Sequence, residues 1–233
     1  MQHARDDPYL DLLLIRHGSV PEGDRRLWGR ATAIPLDHRG AQQASALARA
    51  LQLAPLSAVY TSPRDRAWQT ATAIAAGRGL GVSVARAFDE LDFGDWTGQT
   101  LAALDQDSGW RAFNEARHSA VIPRGEELIA FAARIRNGIG AVERRHQRGV
   151  VAIVTHAEVI RSTLLDVLDW SVDHWSRLPV EPGTVSIMRS SGAGRRVLAV
   201  NLTPDALQVW SSRMESDDLP IHSVEGNGPG IPR

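Results

Sequence analysis

Two purely apolar runs, residues 12–15 (Leu-Leu-Leu-Ile) and 150–154 (Val-Val-Ala-Ile-Val), each reach a histidine two residues after they end. Runs this short with no polar side chain suit strands that are buried on both faces, as in a parallel sheet covered by helices. Ligands of such sheets bind beyond the carboxyl ends of the strands. The first run delivers Arg16-His17-Gly18 to that edge and the second delivers Thr155-His156. If both strands are central, both imidazoles emerge together. A guanidinium beside an imidazole suits an anion that is held while a ring nitrogen attacks it.

The rest of the chain supports a sheet wound by helices. Residues 11–16 read as the first strand, and 19–35 as a loop carrying Arg25, Arg26, Trp28 and Arg30. Asp37 is placed to cap a helix whose apolar stripe is Ala44, Leu47 and Leu51. Residues 57–61 read as a strand, 64–76 as a helix and 82–85 as a weaker strand. A loop rich in acids follows, with Asp89, Glu90, Asp92 and Asp95. Residues 99–124 read as helical pieces. The spacing of Leu128, Phe131, Ile135, Ile139 and Val142 predicts a long helix over 126–146. Another helix follows His156, and its amino end favours an anion. Alternation over 184–188 and 196–202 predicts a hairpin. The expected fold is α/β, a three-layer α/β/α sandwich around a mostly parallel sheet with a C-terminal antiparallel edge. Residues 1–10 read as a lead-in, 11–212 as a single domain and 213–233 as a disordered tail.

Composition removes several chemistries. The chain has no cysteine, so thiol nucleophiles, disulfides and cysteine-ligated metals are out. All 26 basic side chains are arginine, so Schiff-base chemistry and a P-loop lysine are out too. A bound anion must meet Arg, His or backbone amides, and Arg offers a fork that matches phosphate oxygens. The net charge of -1 gives no general field for nucleic acid or an anionic membrane. No apolar run approaches a membrane span and no signal peptide is visible, so a cytoplasmic location is expected.

The order of the motifs is specific. Arg16-His17-Gly18 is followed by Pro35-Leu36-Asp37-His38-Arg39-Gly40, then by Thr61-Ser62-Pro63 with Arg66-Ala67-Trp68-Gln69-Thr70-Ala71. Next come Glu90-Leu91-Asp92-Phe93-Gly94-Asp95-Trp96, Pro123-Arg124-Gly125-Glu126, and Thr155-His156-Ala157. In these blocks the chain resembles the histidine phosphatase superfamily, of phosphoglycerate-mutase-like fold, over roughly residues 11–202.

That resemblance implies that His17 is the nucleophile and takes the phosphoryl group. It implies Arg16 and Arg66 as the phosphate clamp, His156 as the second histidine, and Glu90 as proton donor to the leaving oxygen. It implies no metal and no cofactor. The implied activity is hydrolysis of a small phosphate ester, with a sugar phosphate or α-ribazole phosphate as candidates. A cofactor-dependent phosphoglycerate mutase and an inactive phosphate-binding module are the alternatives. A homodimer is compatible with it.

The chain also departs from the family pattern. Gly23 stands where an asparagine is common, which makes Arg25, Arg26 and Arg30 candidates for the missing contact. With Trp28 they are also candidates for substrate selection. Glu158 puts a carboxylate near the anion site and repels substrate unless it points away or pairs with an arginine. Arg64 reads as a solvated helix start, Trp68 as core, Arg161 as a supporting residue, and His38, His118, His146 and His174 as surface residues.

Overall fold

The computed structural model describes residues 8–215. Six strands form one sheet: β1 (Leu10–Arg16), β2 (Leu56–Thr61), β3 (Val82–Val84), β4 (Gly149–Thr155), β5 (Val185–Ser191) and β6 (Gly194–Leu202). Their spatial order is β3-β2-β4-β1-β5-β6. The first four in that order run parallel, while β5 and β6 are antiparallel to their neighbours. The mixed α/β architecture agrees with the sequence reading, including the antiparallel edge.

Among the described residues seven α-helices accompany the sheet: α1 (His38–Ala50), α2 (Asp65–Ala75), α3 (Leu101–Leu104), α4 (Ser108–Glu115), α5 (Leu128–Arg145), α6 (Ala157–Val167) and α7 (Pro204–Glu215). Alternation along β1 divides its side chains between two cores. Leu12 and Leu14 join Val151, Ile153 and Met188 beneath α5 and α6, with Trp96 and Phe113. Leu13 and Ile15 join Val150, Ala152 and Val154 with Leu47, Ala67, Ile74 and Leu207 on the other side. Because both faces are covered, neither of the two central strands has a polar face to show in sequence.

Local signals set the helix ends. Asp37 Oδ1 accepts from the Gly40 amide at 2.7 Å and starts α1. Asp107 accepts from the amides of Gly109 and Trp110, at 2.7 and 3.0 Å, and starts α4. The helix expected over 126–146 begins at Leu128, because Gly125 and Glu126 stay in a loop tied to Asp92, whose carbonyl accepts from the Glu126 amide at 2.9 Å. Helix α7 is an addition that the sequence reading lacked. Its first residue, Pro204, tolerates the first helical position because an amide there has no partner to lose, and over 204–212 only Leu207 fully buries a large apolar side chain. Residues 213–215, expected to belong to the tail, lie in α7, which reaches Glu215. Residues 1–7 of the lead-in and 216–233 of the tail lie outside the described residues. Trp68 corrects another expectation: it is 44% exposed on α2 and is not core.

Candidate active site

Register brings the two histidines together. Arg16 of β1 pairs with Thr155 of β4, so His17 and His156 leave adjacent strands at one level. The His17 amide donates to Thr155 O at 3.0 Å, and the Ser62 amide at the end of β2 donates to Val154 O at 2.9 Å. Beyond His17 the chain crosses the start of α1 so closely that a Cβ on Gly18 would lie 2.5 Å from Gly40 O. A Cβ on Gly40 would lie 2.0 Å from Ser19 O, so two motifs far apart in sequence meet at a contact that only glycine allows.

His17 is held at one edge of its ring. Its Nδ1 lies 2.7 Å from Gly18 O, which makes that nitrogen the donor. Nε2 therefore keeps its lone pair, which accepts from Arg66 Nε at 3.2 Å. Burial first, then Arg66 and Arg16, hold the His17 pKa well below the usual histidine value, so the ring is neutral. The His156 ring centroid lies 5.1 Å from that of His17. Burial and Arg66 lower the His156 pKa as well.

The arginines carry unused donors. Arg16 Nη1 donates to Val180 O at 2.5 Å, and Arg66 Nη2 donates to Gly29 O at 2.6 Å. Arg16 Nε and Arg66 Nη1 are buried without a partner. Orphaned guanidinium donors are costly, and both arginines line one cavity with His17, where phosphate oxygens would satisfy them. Burial lowers the Arg66 pKa to about 10, which still leaves it charged at neutral pH.

Glu90 lines the same cavity, and its Oε2 lies 3.9 Å from His156 Nδ1. Burial, and then the charge of Glu158, push its pKa up to about 7. Its backbone is fixed from behind, where Arg30 Nε and Arg134 Nη2 donate to Glu90 O at 2.7 and 2.9 Å. Glu126 pairs with both arginines, at 2.8 Å to Arg30 Nη2 and 2.6 Å to Arg134 Nε. The Pro123-Arg124-Gly125-Glu126 motif thus acts on the site through the Glu90 loop.

Several residues stand elsewhere than the sequence suggested. The cavity of about 580 Å³ is lined by Arg26 and Trp28 but not by Arg25 or Arg30. Arg25 is 82% exposed, and Arg30 is committed to Glu90 O and Glu126, so neither supplies the contact left vacant at Gly23. Arg64 is not a solvated helix start: its Nε donates to Asp89 Oδ1 at 2.7 Å and its Nη1 to Arg30 O at 2.6 Å. Glu158 does not stand unpaired. Arg117 and Arg161 both bind it, and together they lower its pKa against the cost of burial. The Arg117 guanidinium is stacked between Trp175 and Phe113, 3.8 and 4.3 Å from the ring centroids. His146 is half-buried, with Nε2 2.9 Å from Tyr60 Oη, while His38 is exposed. Sequence reasoning missed Arg134 and Arg117. Neither lies in a motif, and each reaches its partner across the fold.

The model of the histidine phosphatase superfamily (branch 1) matches residues 12–203. The chain belongs to the histidine phosphatase superfamily. This histidine phosphatase is 25% identical over 197 residues to phosphoserine phosphatase 1 of Hydrogenobacter thermophilus, covering 82% of this chain and 92% of that protein. It is 27% identical over 175 residues to adenosylcobalamin/alpha-ribazole phosphatase of Salmonella typhimurium, covering 74% and 86% of the two chains. The solved structure of YhfR from Bacillus stearothermophilus superposes with a TM-score of 0.79 at 28% identity, covering 84% of this chain and 98% of that one. Among the described residues no helix is long and apolar enough to cross a membrane.

Proposed function

We propose that this histidine phosphatase hydrolyses a small phosphate monoester through a phosphohistidine on His17. The observation that carries the reading is the His17 ring. Its Nδ1 is spent on Gly18 O, its Nε2 lone pair accepts from Arg66 Nε at 3.2 Å, and Arg16 and Arg66, each with an unpartnered donor, line the same cavity. Nε2 attacks phosphorus and the bond to the ester oxygen breaks. Glu90, protonated at and below about pH 7, gives its proton to the leaving oxygen. The carboxylate then takes a proton from the water that attacks the phosphohistidine. Inorganic phosphate and neutral His17 are released, and Glu90 is protonated again. The clamp stabilises charge spread over the transferring group, where fixed cations act most strongly. The cations in this scheme are arginines, so its steps need no metal.

The cavity supports an ester with a partly apolar alcohol. Val20, Leu27, Trp28 and Phe93 line it together with the catalytic group. An α-ribazole phosphate fits that description and accords with the Salmonella relative; a sugar phosphate meets fewer apolar partners. The test is hydrolysis of an α-ribazole phosphate beside a panel of sugar phosphates and phosphoserine, with a chelator present. Turnover lost in His17→Ala and retained with the chelator supports the reading. Turnover that survives in His17→Ala, or stops with the chelator, refutes it.

A further inference from the structure

We propose that Ser62 is a positioning residue that fixes His156 with its proton on Nδ1, so that the ring turns a donor and not a lone pair toward the transferring phosphoryl group. The inference rests on the phosphomonoesterase reading for its consequence, but not for its geometry. Ser62 is fully buried at the end of β2, and its Oγ lies 2.6 Å from His156 Nε2. The Arg64 amide donates to the same Oγ at 3.2 Å. A hydroxyl has one proton and two lone pairs. Among the described residues Ser62 Oγ makes these two hydrogen bonds and no others.

The count assigns the protons. Arg64 N–H occupies one lone pair. If His156 Nε2 also donated, the hydroxyl proton would have no acceptor in a fully buried place, an arrangement that folded proteins avoid. If the hydroxyl donates to Nε2 instead, Ser62 Oγ has a partner for its proton as well as for a lone pair, and Nδ1–H is left for a phosphoryl oxygen. The neutral ring then carries its proton on Nδ1, which lies 3.4 Å from Arg66 Nη2 and 3.9 Å from Glu90 Oε2. The Arg66 contact does not reverse the assignment. At 3.4 Å it is long, and the nearer partner of Nη2 is Gly29 O, which accepts at 2.6 Å. An Nδ1 lone pair at this place would repel an anionic phosphoryl oxygen; an N–H attracts it. Ser62 thus works through His156 and touches no reacting atom.

The tautomer can be read directly. The full chain is labelled with nitrogen-15 at histidine and its long-range proton–nitrogen spectrum is recorded at neutral pH without substrate. His156 is assigned by difference against His156→Gln. The wild-type ring should carry its proton on Nδ1. In Ser62→Ala it should shift to Nε2 or to a mixture, with kcat down roughly tenfold and KM little changed, the loss expected for one hydrogen bond. Ser62→Thr, which keeps the hydroxyl, should restore the Nδ1 tautomer. A wild-type ring protonated at Nε2 overturns the proposal, and that spectrum decides even if a variant fails to fold. A Ser62→Ala protein that is less stable but whose tautomer is unchanged overturns it too. Because no substrate is present, an Nδ1-protonated ring in an inactive enzyme sinks the phosphatase reading and leaves this one standing.

Discussion

His17 and His156 occupy equivalent places at neighbouring strand ends, yet the fold turns them in opposite senses. Both are buried and neutral, and both carry the proton on Nδ1. For His17 that nitrogen is tied back to Gly18 O, so the lone pair on Nε2 faces the phosphate site. For His156 it is Nε2 that is tied back, to Ser62, so Nδ1–H faces the site. In the proposed mechanism one residue type, in one protonation state, serves as nucleophile at one strand end and as donor at the other. The difference arises from which edge of the ring the neighbouring chain holds. Chemistry at such a site therefore depends on the partners of a side chain as much as on its identity.

The largest break in this comparison is removal of the lone pair. His17→Ala should abolish turnover and leave thermal unfolding near wild type, because the ring contributes to the cavity and not to either core. Loss of the partner ring in His156→Ala should cost about 10²–10³ in kcat, as for other lost transition-state donors. Steady-state kinetics on a single ester compares the two, and an equal loss would erase the distinction drawn here.

A sharper test concerns the proton that neither histidine supplies. Glu90→Gln should slow esters with poor leaving groups by about 10²–10⁴-fold while activated aryl phosphates lose far less. The same group sets the pH profile. His17 must be neutral and Glu90 protonated, so kcat/KM should be flat in mildly acidic solution and fall as pH rises through about 7. An alkaline limb unchanged in Glu90→Gln would remove Glu90 from the mechanism.

A smaller effect separates charge from contact. Glu158 raises the Glu90 pKa by repulsion and is held by Arg117 and Arg161. Glu158→Gln removes the negative charge and leaves two cations less compensated. Both changes favour the Glu90 carboxylate, so the alkaline limb should move to lower pH with a modest change in the plateau. A limb that moves upward would contradict the assignment. Least of all, Arg25→Ala should leave the kinetics of every ester unchanged, since that side chain is exposed and away from the cavity.

Much of this arrangement was legible in the chain. The strands β1 and β4 announce themselves by their apolar runs, 12–15 and 150–154, and His17 and His156 follow at their ends. Asp37 and Gly40 mark the start of α1 by a local hydrogen bond. What stayed hidden has no local signal. Arg117 reaches Glu158 from 41 positions earlier, out of an irregular stretch. Arg30 looks like a free loop cation until Glu126, 96 positions later, claims it. Helix α7 escaped for another reason: over 204–212 it fully buries one large apolar side chain, Leu207, so it has little periodicity to read.

The central claim is the covalent phosphohistidine, and rapid acid-free quenching with a phosphorus-32 ester tests it most directly. Label should appear on His17 within the first turnover, resist alkali, be lost in acid, and form equally well with a chelator present. A protein that turns over the ester with no label on His17 would contradict the account.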